Sequence, residues 1–226
     1  MNKYNNNALQ KLIDYGYEFE TYKYINGGFN IFLENIGGFI GYSFIIIAVM
    51  GISSLKLFLN IPMSLMSSIF YTGFFLVANE IIKGRNPNFS TFFCGFNFFI
   101  PLLLLSLISS IFIMIGLLLL IIPGIYLAVS YQFSSMFVVF LGYDFWEAME
   151  MSRKIITKNW WKVFWFTLLI GIINFLGMIA FGIGVIFTLP ATYCMIFYAF
   201  EDIIGTALRK NQYCDDSNAN YTTTTM

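Results

Sequence analysis

The chain has 226 residues, 58% hydrophobic, 20% aromatic and only 11% charged, with 12 basic and 12 acidic side chains, no histidine and 3 cysteines. A soluble fold leaves too little polar sequence here to cover so much apolar surface. A formal net charge of zero gives no basis for a nucleic-acid partner, and Cys94, Cys194 and Cys214 are too scattered for a usual metal site, so neither metal nor cofactor is expected.

The charged residues gather in four patches with Lys56 alone between them, and the runs 35–55, 57–79, 86–143 and 163–200 contain no Asp, Glu, Lys or Arg. About 20 apolar residues cross roughly 30 Å of hydrocarbon as a helix, so the first two runs hold one span each and the last two hold two each. The expected architecture is all-α: a polytopic membrane protein with six transmembrane helices arranged as three helical hairpins.

Residues 1–35 read as a cytoplasmic N-terminal segment with an interfacial helix. They are mostly polar and show no small-residue cleavage pattern after a short apolar core, which predicts that Ile36 onward is retained as a true span. The spans are expected near 36–55, 61–78, 98–120, 124–141, 161–181 and 188–203, with a disordered cytoplasmic tail over 206–226. Pro62, Pro123 and Pro190 fall near the starts of the even-numbered spans, where a missing backbone donor costs little. Gly37 and Gly41, then Gly171, Gly177, Gly182 and Gly184, are small residues that permit close helix contact.

With six crossings both termini share a side. That side collects Lys3, Lys11, Lys23, Lys83, Arg85, Arg153, Lys154, Lys158, Lys162, Arg209 and Lys210, and the other collects only Lys56. The positive-inside bias assigns the crowded side to the cytoplasm and the chain to a plasma or inner membrane, in contact with its lipids. Lys56 reads as a snorkelling anchor at the outer end of the first span.

Asn35, Asn97 and Asn159 stand 62 residues apart, each closing a partly polar segment before an apolar run, and each is followed by one of the three prolines. This spacing suggests three parallel copies of one unit: a lead-in segment, a span outward, a turn and a span back. The clearest lead-in is an amphipathic helix over 144–158. Asp144 and Glu147 fit a capping-box variant, and Phe145, Met149, Ser152 and Ile156 share one face. Glu147, Glu150, Lys154 and Lys158 form the polar side, with Glu150 and Lys154 at favourable helical spacing. Such a helix would lie along the membrane surface with Trp160 and Trp161 at headgroup level, either as a connector or as a cytoplasmic interaction helix for an unidentified membrane or cytoplasmic protein.

The text GLLLLIIPGIYLAVSYQ over 116–132 and FWEAMEMSRKIITKNWWKVF over 145–164 resembles the bacterial membrane domain found ahead of some glycerophosphodiester phosphodiesterases, and the uncharacterised inner-membrane families related to it. The resemblance rests on Ile122-Pro123-Gly124, on Ala148, Ser152 and Ile155, and on Lys158-Asn159-Trp160. It covers about the C-terminal half and is looser around 24–39. It implies a multi-helix membrane protein with no established catalytic role. Phosphodiesterase activity belongs to a separate soluble domain, and its histidine chemistry has no counterpart in a chain without histidine.

No acid, histidine or arginine falls deep within a predicted span, which leaves no catalytic set and points to a non-enzymatic protein. Ser106, Ser109, Ser110, Ser130, Ser134 and Ser135 read as helix-packing residues. Gln132 and Asn174 are the candidate polar path of a small permease, channel or lipid-translocating protein, or else hydrogen-bonding glue between helices. The first expectation for function is an accessory or interaction module acting through the cytoplasmic face.

Overall fold

The computed structural model describes residues 3–54, 60–179 and 184–205. Lys56, Gly182, Arg209, Lys210, Cys214 and the expected tail lie outside the described residues. Every regular element among the described residues is helical: α1 (Lys3–Tyr15), α2 (Thr21–Glu34), α3 (Ile36–Ser54), α4 (Asn60–Ile82), a 3-10 segment (Phe89–Phe98), α5 (Phe99–Leu119), α6 (Ile121–Ser130), α7 (Ser134–Leu141), α8 (Phe145–Lys158), α9 (Trp160–Ile179), α10 (Val185–Phe200) and a π turn (Glu201–Gly205).

Among the described residues, three stretches are long and apolar enough to cross a membrane unaided: Phe89–Leu119, Ile121–Leu141 and Trp160–Ile179. A fourth arises if Thr21–Glu34 and Ile36–Gly51, bent by 91°, count as one. The six expected spans therefore stand as three to four by length and composition. Met66–Ile82 is a shorter apolar helix, and α10 holds 16 residues before the backbone widens into the π turn.

The 62-residue spacing has a structural counterpart. Asn35 forms the corner between α2 and α3 with φ −136° and ψ 47°, and Asn159 forms the corner between α8 and α9 with φ −129° and ψ 34°. At each corner the asparagine carbonyl takes the first bond of the new helix, from Phe39 N–H and from Val163 N–H. The Asn35 side chain also accepts from Gly38 N–H at 3.3 Å, satisfying one of the donors a helix start leaves open. Asn97 differs: it lies within the 3-10 segment, which runs into α5 as one stretch, Phe89–Leu119, rather than at a corner.

The prolines follow the expectation only in part. Pro62 and Pro123 are third residues of α4 and α6, within the first turn, where a helix has no use for the N–H. Pro190 lies inside α10, which begins at Val185, so it does not mark that helix start. A further correction concerns 124–141, expected as one helix: it is α6 and α7, interrupted over 131–133.

Aromatic rings build much of the core. Phe92, from the 3-10 segment, stacks on Tyr42 of α3 at 4.7 Å between centroids and meets Phe39 edge-on at 5.5 Å. Tyr193 of α10 stacks on Tyr71 and Phe74 of α4 at 4.6 and 5.5 Å. Offset and edge-on pairs of this kind add about 0.5–1.5 kcal/mol each beyond their buried area. They tie the 3-10 segment to α3 and α10 to α4.

The expected amphipathic helix forms as α8. The face of α8 formed by Ala148, Met149, Ser152, Ile155 and Ile156 is buried against the bundle, mainly on α5, α6 and α7. Asp144 occupies the N-cap position, but its side chain makes no capping bond, so the predicted capping box does not form. Exposed Trp146, Trp161 and Trp165 sit at its two ends.

Candidate functional site

The interruption between α6 and α7 is the most informative local structure. Gln132 N–H bonds to Val129 O and Ser134 N–H to Tyr131 O, which tightens the backbone to three-residue rungs. The rung that would join Phe133 N–H to Ser130 O is opened, and the Ser152 hydroxyl of α8 occupies it. Ser152 Oγ accepts from Phe133 N–H at 3.2 Å and donates to Ser130 O at 2.6 Å. Ser152 is fully buried. A single hydroxyl, acting as donor and acceptor, thereby satisfies both ends of the break.

Around the break lies a cavity of about 220 Å³. Its polar wall comes from Ser68 of α4, Ser106, Ser109 and Ser110 of α5, Tyr131 at the break, and Ser134 and Ser135 at the start of α7; no charged residue lines it. The hydroxyls of Ser106, Ser109 and Ser110 donate to the carbonyls of Leu103, Ser106 and Leu107. Ser134 is 2% exposed, and its hydroxyl has no partner among the described residues. Five of the six serines expected to serve packing, all but Ser130, therefore line one space together with Ser68, and Leu105 and Ile113 complete its wall.

Gln132 and Asn174 do not converge with each other. Thr167 Oγ1 of α9 stands 3.0 Å from Gln132 Oε1 and 2.9 Å from Val163 O, so its one proton is divided between them. Asn174 Nδ2 donates to Ile170 O at 3.1 Å and to Thr192 Oγ1 of α10 at 3.3 Å. Each amide is engaged at a separate seam, one joining the break to α9 and the other joining α9 to α10. Interhelical bonds of this kind average about 0.6 kcal/mol, which suits glue. An apolar cleft of about 430 Å³ opens between α6 and α9, with Ile125, Ala128, Leu168 and Gly171 among its walls.

The polar side of α8 is outward. Glu147, Lys154 and Lys158 are exposed, while Glu150 is half-buried. Glu150 bonds Lys154 at 3.4 Å, as its spacing suggests, and also accepts from one guanidinium edge of Arg153, Nε and Nη2, at 2.9–3.0 Å. Lys158 borders a polar surface cleft with Asp14, Glu18 and Asn159, and the Asn159 amide donates to Tyr17 O.

One further cluster joins residues 178 and 179 positions apart. Asp202, in the π turn, accepts from Lys23 Nζ at 2.7 Å and from the Tyr24 hydroxyl at 3.1 Å. The Asp202 bond raises the Lys23 pKa. The stabilisation carried by Lys23 is therefore full below its unfolded value and is lost only as pH rises through the raised folded one. Lys23 is 40% exposed, which limits the pair to the small energy of a surface bridge.

Among the described residues no group of three or more His, Cys, Asp or Glu side chains is placed to hold a metal ion. Among the described residues the arrangement defines an all-helical bundle with membrane-length apolar helices and an uncharged, serine-lined cavity at a broken helix. No family model matches the chain, and neither a curated protein nor a solved structure does.

Proposed function

We propose that this chain is a non-enzymatic integral membrane protein that holds a small polar solute beside the α6–α7 break and passes it across the bilayer. The interruption itself carries this reading. Ser130 to Ser134 fall near the middle of the membrane-length stretch Ile121–Leu141, and Ser106 to Ser110 fall near the middle of α5. Irregular backbone at that depth is tolerated where it is buried in protein or lines a wet cavity, and broken helices at mid-membrane are a recurrent way of building solute sites. The test is flux of small polar solutes into vesicles carrying the purified protein. Entry no faster than into protein-free vesicles, for every solute tried, sinks the reading.

In this proposal the chain crosses six times as three parallel hairpins with both termini cytoplasmic. α3 and α4, of 19 and 23 residues, are each near crossing length, and α10 runs without a gap into the π turn as far as Gly205. The eleven-to-one distribution of basic residues sets the orientation. A Lys56→Cys variant in a cysteine-free background is expected to react with an impermeant maleimide added outside intact cells. Labelling only after lysis overturns the topology. The resemblance to the membrane domain of glycerophosphodiester phosphodiesterases belongs to the same proposal.

A second reading is favoured by α8. Its apolar face is occupied by the bundle, which presents Glu147, Glu150, Lys154 and Lys158 on a rigid cytoplasmic helix suited to docking a protein partner. Replacing all four with alanine is expected to release a co-purifying partner while membrane insertion is unchanged. Undiminished co-purification counts against it.

A further inference from the structure

We propose that the apolar cleft between α6 and α9 is a lipid site: it seats one acyl chain of an anionic phospholipid, whose phosphate lies at the α8–α9 corner near Lys158 and Lys162. The level of that corner in the bilayer rests on the six-span reading above; the site does not depend on solute passage. The cleft, of about 430 Å³, has Ile125 and Ala128 of α6 on one side and Phe164, Leu168, Gly171 and Phe175 of α9 on the other. Thr167 is the one polar side chain in its wall, and its proton is already directed to Gln132 and Val163. A guest therefore meets hydrocarbon. Gly171 gives the cleft its depth. Glycine weakens a helix interior, and this one is not there for close helix contact, since nothing stands within 4 Å of an added Cβ. Its missing side chain leaves open space along the cleft.

Length and charge identify the occupant. From Phe164 to Phe175 the α9 wall runs about 17 Å at about 1.5 Å per residue, close to one leaflet, or half of a hydrocarbon core roughly 30 Å thick. One end of that wall is the corner. There Trp160 stacks on Phe164 at 5.1 Å between centroids and lies 5.9 Å from the Tyr126 ring, while the Tyr126 and Thr157 hydroxyls pair at 2.7 Å. Aromatic rings with polar edges are suited to headgroup level. The segment 151–162 carries four cations and no acid. Arg153 and Lys154 are bridged to Glu150. Lys158 and Lys162 are exposed and make no ion pair among the described residues, and Asp14 and Glu18, which share a surface cleft with Lys158, do not bridge to it. Two uncompensated lysines at the inner headgroup level complement a lipid of net negative charge.

The experiment reconstitutes the full chain in vesicles of equal parts palmitoyl-oleoyl phosphatidylglycerol and phosphatidylcholine, re-extracts it in detergent and weighs it intact by native mass spectrometry. Wild type is expected to retain one phospholipid per chain, phosphatidylglycerol over phosphatidylcholine by roughly tenfold, the order set by two lysines near an anionic headgroup. Gly171→Leu, which fills the cleft, is expected to remove the retained lipid without lowering the melting temperature of the lipid-free protein in detergent. Leu176→Phe adds bulk at an exposed position of α9 outside the cleft and should leave the lipid in place. Lys158→Gln with Lys162→Gln is expected to keep a lipid and lose the preference. Wild type that retains no lipid, or a lipid that Gly171→Leu does not displace, overturns the site. Equal retention of the two headgroups by wild type overturns the anionic class. A mass of two chains that Gly171→Leu reduces to one assigns the cleft to a second copy and overturns the lipid. Solute flux and Lys56→Cys labelling report on the solute and topology readings separately, so absent lipid with the expected labelling sinks the lipid site alone.

Discussion

Gly28→Ala is expected to be among the most destabilising single methyl additions in the described helices, beside Gly73→Ala, whose added methyl would meet Phe92 O. Gly27 and Gly28 lie at the centre of α2, where it crosses α10, the most extensively contacting helix pair in the fold. A Cβ at Gly28 would meet the Cα and N of Met195. Those are backbone atoms of a buried helix and cannot swing aside, so the two helices must part along their whole contact. Overpacking that side chains can absorb costs about 1–3 kcal/mol, and a clash with backbone lies at or above the top of that range. At Gly27 the added methyl would meet the ring of Tyr198, which can move, so Gly27→Ala should cost less. At Gly171, in the interior of α9, nothing stands within 4 Å, and the same substitution should cost nothing or gain up to about 1 kcal/mol in helix propensity. Thermal unfolding of the three variants in one detergent checks the order. Equal melting temperatures for the Gly28 and Gly171 variants would show that α2 is not seated on α10 as described.

That seam also marks the limit of what the primary structure conveys. Lead-in, corner and long apolar helix were legible for the outer copies because each is a local pattern: polar residues at helical spacing, then an asparagine, then a charge-free run. Asn35 and Asn159 have nearly the same backbone angles because the same local problem, starting a helix at a sharp bend, is solved twice. Gly28 carried no such signal, since its importance depends on Met195, far along the chain. The GxxxG at Gly37 and Gly41 was the louder pattern, yet Gly37 faces open space and Gly41 makes only an ordinary contact with the Phe89 ring. Gly177 does pack closely, against Thr188 and Gly184. Asp202 likewise reads as an acid at a helix end, and only the fold brings Lys23 and Tyr24 to it. At the broken helix, periodicity misled for a physical reason: an apolar run is continuous in composition whether or not its hydrogen bonds are, and the residue that opens this one belongs to another helix.

Ser152 is that residue, the one hydroxyl among the residues that share the apolar face of α8. Ser152→Ala leaves volume and helix propensity nearly unchanged, so its effect isolates the hydroxyl. Removing it strands Phe133 N–H and Ser130 O, both in the buried backbone of the break. A buried polar group left without a partner costs about 1–3 kcal/mol, and here two are stranded by one change. The break has one escape, which is to close the missing rung by moving Phe133 N–H onto Ser130 O. That would straighten the α6–α7 junction and shift Tyr131, Gln132 and Ser134, and with them the Thr167 contact and the cavity wall. The variant is therefore expected either to lose about 2–5 kcal/mol of stability or to keep much of it at the expense of the cavity, and in both cases to lose the proposed flux of small polar solutes into vesicles. Ser152→Cys, whose thiol bonds weakly but fits the site, should fall between alanine and the native residue. Melting temperature and solute flux measured on the same three preparations decide the matter. An alanine variant with native values of both would mean that the helix is interrupted for some reason other than the serine inserted into it.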